Sequence, residues 1–74
     1  MNFDISTPEG MENSKRWLTA HLALVKEGGQ WIVPRSQSIY TINHHKKTAV
    51  KITGSPEPDI TTMFQALGWT IREI

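Results

Sequence analysis

The sequence contains no cysteine, a single tyrosine and two phenylalanines, and it has no long uninterrupted apolar run. The missing cysteine excludes a disulfide framework, a thiolate metal site and a cysteine nucleophile. It is compatible with a reducing compartment. The longest apolar-leaning stretch, Trp17 to Val25, is broken by Thr19 and His21, whereas a membrane helix needs about 20 mostly apolar residues. The opening MNFDISTPEG holds no base and no hydrophobic segment. It does not read as a signal peptide, so a soluble, intracellular protein without a membrane partner is expected. The 74 residues leave room for one domain, whose core supplies only ~3–5 kcal/mol.

The groups that enzymes need are also scarce. The only neutral bases are His21, His44 and His45. His21 falls on an apolar helix face, the usual place of a packed histidine. His44 and His45 are chain neighbours that point apart in an extended segment. Neither H-x₃-H nor H-E-x-x-H spacing occurs, the acids are scattered singly, and Gly28-Gly29 lacks a phosphate-loop sequence. The sequence therefore predicts no catalysis, no metal site and no cofactor.

Charge is present but unevenly divided. The net charge is +1, yet residues 1–27 carry −1, residues 28–54 carry +4 and residues 55–74 carry −2. The middle segment holds Arg35, Lys46, Lys47 and Lys51 with no acid, and His44 and His45 add charge below neutral pH. Such asymmetry points to an anionic partner, or to a loop tip solvated by lysines.

Hydrophobic spacing orders the chain. Residues 1–10 lack periodicity and read as a flexible arm, with the domain over residues 11–74. Thr7-Pro8 has the chemistry of a helix start, as does Ser6 with Glu9; Gly10 weakens that turn, and Asn13 or Ser14 offers a later cap. Met11, Ser14, Trp17, Leu18, His21, Leu22 and Val25 form one helical face, which predicts a helix over about 11–26, ended by Gly28-Gly29. Three β-rich runs follow, Gln30–Val33, Ile39–Ile42 and Thr48–Thr53, the first stopped by Pro34. Asn43 to Lys47 forms the hairpin tip, and alternation is expected to set Tyr40 and Ile42 on one face with Val50 and Ile52. After the Gly54–Pro58 break, Asp59 caps a second helix striped by Ile60, Met63, Phe64 and Leu67, and Trp69–Ile74 reads as a closing strand. The expected fold is α+β, a small single domain with two helices packed on a mainly antiparallel sheet, in the order α-β-β-β-α-β.

Such a chain suits a binding module. Three tryptophans are many for its size, and tryptophan serves both cores and interface hot spots. Trp17 and Trp69 read as core. Trp31 either closes the core beneath the first helix or anchors a partner. The candidate partner-binding residues are Trp31, Arg35, Tyr40, His44, His45, Lys46, Lys47 and Lys51, a basic hairpin with aromatic neighbours. The same hairpin could grip a phosphate backbone as a wing. A pI near 8.2 and no strongly basic helix argue against sequence-specific DNA reading.

At Trp31-Ile32-Val33-Pro34-Arg35-Ser36, through Tyr40-Thr41-Ile42, and at Ala66-Leu67-Gly68-Trp69-Thr70-Ile71, the sequence resembles the short transcription regulators that lytic phages make to redirect host RNA polymerase. The resemblance implies binding to bacterial RNA polymerase through its β and β′ subunits, in the cytoplasm of the bacterial host. It implies inhibition of initiation by displacement of σ, and suppression of termination. It carries no binding residue over. A protein monomeric when free is expected, its arm ordering on the partner. The alternatives are a non-specific nucleic-acid-binding protein and an inhibitor of another host protein.

Overall fold

Thr7 begins the first helix in the computed structural model, which describes residues 2–74. Its hydroxyl accepts the Gly10 N–H at 3.0 Å, Pro8 occupies the first turn, and helix α1 runs Pro8–Leu22. A further turn continues to Val25 through bonds from Leu24 and Val25 to the His21 and Leu22 carbonyls. The helix thus starts three residues before the expected boundary, because Thr7, rather than Asn13 or Ser14, supplies the cap.

The early start also changes the reading of the arm, of which Met1 lies outside the described residues. Residues 2–6 lie across the first turns of α1. Asn13 donates to the Asn2 carbonyl at 2.8 Å and Ser14 to that of Phe3 at 3.3 Å. Asp4 closes the turn by accepting the Ser6 N–H at 3.0 Å and hydroxyl at 2.6 Å, bonds that hold its carboxyl below the usual range. Gly10 makes the crossing feasible, since a Cβ there would stand 1.9 Å from the Asp4 carbonyl oxygen. The residue that weakens the helix locally is the one that admits the arm.

Four strands follow: β1 Gln30–Ile32, β2 Ile39–Asn43, β3 Thr48–Thr53 and, after helix α2 at Pro58–Ala66, β4 Thr70–Glu73. They form one sheet in the order β1-β2-β3-β4, a three-stranded antiparallel meander with β4 added parallel to β3. The parallel pairing follows from the α2 crossover, which returns the chain to the start of β3. Both helices pack on one face. Leu18 and Leu22 of α1 and Ile60, Met63 and Phe64 of α2 share a core with Trp31, Val33, Tyr40, Ile42 and Ala49.

The hairpin register differs from expectation. The tip is four residues, His44–Lys47, with Lys47 in the left-handed region at φ 53° and Asn43 Oδ1 accepting the Lys46 N–H at 2.9 Å. That even count sets Tyr40 opposite Lys51 and Ile42 opposite Ala49. Val50 and Ile52 therefore belong to the far face, and a bulge between Ile39 and Tyr40 shifts the last pair, which sets Ile39 opposite Thr53. No helix covers the far face, where Ile32 pairs with Ile39 and remains 56% exposed.

Candidate interaction site

The basic tip is held by a carboxylate. Glu27, on the connection between α1 and β1, accepts backbone N–H bonds from His44 at 2.8 Å, His45 at 2.9 Å and Gly28 at 3.2 Å. Burial opposes the charge, but the His45 amide above all, then those of His44 and Gly28, hold the carboxyl below its usual range. The Gly28 N–H and the Gly29 carbonyl also bond Ile42 at 2.8 Å each, so this connection runs beside β2.

His44 supplies a second tie. Its Nε2 lies 2.6 Å from the Val25 carbonyl, an acceptor only, so that nitrogen carries a proton. The ring stands edge-on to Trp69 with centroids 5.8 Å apart. Trp69 follows Gly68, which takes φ 85° at the end of α2, and donates its N–H to Phe64 at 2.9 Å. The next residue, Thr70, donates to the Lys47 carbonyl at 2.9 Å, so β4 begins against the tip. His44 is thus a structural tie, and His45, Lys46 and Lys47 are the exposed members. Lys26 is exposed on the adjoining turn.

The remaining sequence candidates do not join this group. Trp31 is 4% exposed, enclosed by Trp17, Tyr40 and Phe64 at centroid distances of 5.9, 6.0 and 5.9 Å. Its open alternative resolves to core, and its buried indole N–H has no hydrogen-bond partner among the described residues. Tyr40 is buried beside it, and burial above all, with Glu57 and Glu73 adding to it, pushes the phenol up to about 12. Lys51 is 7% exposed, its Nζ donating to the Ser55 carbonyl at 2.6 Å and pairing with Glu73 at 2.7 Å. The register change turned Tyr40 and Lys51 inward together. Arg35 is exposed, but in the β1–β2 turn at the opposite end of β2, about 17 Å along a five-residue strand.

Glu27 and Trp69 are the site residues that the sequence reading missed. Trp69 had a signal in its place after a helix-ending glycine, whereas Glu27 had none, because its partners are backbone amides 17 and 18 positions away. Among the described residues, no group of three or more His, Asp or Glu could hold a metal ion. Among the same residues, no helix is long and apolar enough to cross a membrane. Compared with family models, with curated proteins and with solved structures, the chain matches none.

What the site offers is fixed positive charge. Lys46 and Lys47 stand on a backbone tied by Glu27, His44 and Thr70, beside a half-buried tryptophan. A tied backbone loses little conformational freedom on binding, which favours a definite partner geometry over a mobile charged loop.

Proposed function

We propose that this chain is a phage-type regulator that docks on bacterial RNA polymerase in the host cytoplasm. There it inhibits initiation by occupying a contact surface. The observation that carries the docking reading is the tied tip, where Lys46 and Lys47 are exposed on a backbone anchored from three sides. Long-range attraction from such a group speeds encounter with an acidic protein surface. The choice of polymerase rests on the sequence resemblance. Its three segments correspond to β1 with its turn, β2, and the passage from α2 into β4, so the likeness concerns the framework that presents the tip.

A tagged pull-down from nuclease-treated bacterial lysate tests this reading. Recovery of the β and β′ subunits with σ depleted is the expected result. Recovery of a different single protein would keep the docking function and discard polymerase. Binding that needs intact nucleic acid, and that falls steeply with salt, would give the tip to a phosphate backbone instead.

A further inference from the structure

A second surface lies at the other end of the molecule. Residues 2–6, the middle of α1, the β1–β2 turn and the start of α2 enclose a groove of about 310 Å³. Phe3, Ile5, Trp17, Val33, Ile60 and Met63 form its apolar wall. Phe3 and Trp17, whose ring centroids are 6.5 Å apart, also line a separate depression of about 220 Å³ with Asn13 and Arg16. A hollow of this size with an apolar wall takes one large side chain of a docking segment.

The mouth carries charge of its own. Glu57 and Asp59 stand at the α2 side and Arg35 at the other, which leaves one negative charge in excess. None of the three is in an ion pair among the described residues. Glu57 accepts the Ser36 hydroxyl at 2.7 Å, which ties this lip to the β1–β2 turn. The groove therefore complements an apolar side chain followed by a cation, whereas the tip complements an anion.

We infer that this groove binds a short segment of a protein partner, in which a large apolar side chain fills the hollow and an adjacent Lys or Arg meets Glu57 and Asp59. The site lies at the opposite end of β2 from the tip and does not depend on the identity of the tip's partner. The occupant is a basic-apolar peptide because the wall of this groove is apolar and the excess charge at its mouth is negative.

The test is a pair of capped tetrapeptides, Ac-Ala-Leu-Phe-Arg-NH₂ and Ac-Ala-Leu-Phe-Glu-NH₂, titrated into the whole ¹⁵N-labelled chain. The arginine peptide is expected to shift the amide signals of Val33, Arg35, Ile60 and Met63 and the Trp17 indole signal, with about tenfold higher affinity than the glutamate peptide. The double variant Glu57→Gln, Asp59→Asn, with folding checked by circular dichroism, should remove that preference. Phe3→Ala should weaken both peptides. Equal affinity of the two peptides, or shifts at the tip or the open sheet face instead, would overturn the proposal. So would the same shifts appearing with protein concentration alone, which would assign the groove to a second copy of this chain.

Discussion

The two ends of the sheet are held by opposite devices. At the tip an exposed carboxylate, Glu27, gathers backbone N–H groups. At the far end a buried ammonium, Lys51, reaches the Ser55 carbonyl and the Glu73 carboxylate. The anion at the tip stays exposed to water, and the backbone bonds it accepts outweigh its desolvation and position a loop. The cation at the far end has lost its water, so the groups around it are required by the fold. The difference explains why the middle segment, uniformly basic in sequence, is not uniformly basic on the surface.

Glycine substitutions give the widest contrast between the ends. Gly54 takes φ 122°, and a Cβ there would meet the Ser38 Oγ at 2.1 Å. Gly54→Ala should cost about 3–5 kcal/mol from strain and overpacking together, comparable to the whole stability of a domain this small. Gly28 takes φ 75° with nothing within 4 Å of a Cβ, so Gly28→Ala should cost about 1 kcal/mol. Thermal denaturation of the two variants checks this, and equal losses would break the comparison.

The next largest effect concerns the ion pair. Glu73→Gln leaves the Lys51 ammonium facing a neutral amide, and a loss of about 1–2 kcal/mol is expected, less than for a fully buried pair because water reaches the exposed Glu73. Denaturant midpoints read it. Lys51→Met removes the buried charge itself and should restore part of the loss in the Glu73→Gln background.

Opposite devices also answer to opposite pH. The Glu27 carboxyl is lowered in the fold from an ordinary 4.5, so its contribution is complete above that pH and is lost as the pH falls through the folded value. Amide exchange at His44 and His45, corrected for intrinsic rates, should quicken in acid before exchange in β3 does. Glu27→Gln should bring that faster exchange to neutral pH. At the far end the Tyr40 phenol is raised from 10.0 to about 12. The unfolded chain therefore releases that proton first, and stability should decline as the pH rises from 10.0 toward about 12. Tyr40→Phe should remove that part of the alkaline decline, which alkaline melts of the two proteins would show.

The smallest stability effect should accompany the largest effect on docking. Lys47 holds φ 53°, a conformation that costs a side-chain-bearing residue about 1 kcal/mol. Lys47→Gly should raise the melting temperature slightly while slowing association with the partner, whereas Lys46→Ala should slow association and leave melting unchanged. A melting temperature that falls on Lys47→Gly would show the strain to be absent.

The sequence carried the element order because hydrophobic spacing and punctuation act locally. Thr7-Pro8 and Gly68 each mark a boundary that the structure uses, whereas α1 ends at Leu22, short of the expected stop at Gly28-Gly29. It did not carry the facing of β3, since one residue more or fewer in the tip reverses every side chain, and Asn43–Lys47 reads as polar either way. For the same reason Lys51 looked like surface charge. Its partner Glu73 is 22 positions later, and only the parallel addition of β4 brings the two together. Arg35 was grouped with the hairpin by chain proximity, which a strand between them turns into distance.

Parallel addition of the last strand also bears on how the chain assembles as it is made. The meander of β1, β2 and β3 needs only local closure, whereas Lys51 lacks its Glu73 partner until residues 70–73 have been synthesised. Until then the β3 margin is an open template with a cation in the place that will later be sealed. A charge on an unfinished margin discourages pairing with other nascent chains, so the same lysine that fastens the finished sheet guards it while it is incomplete.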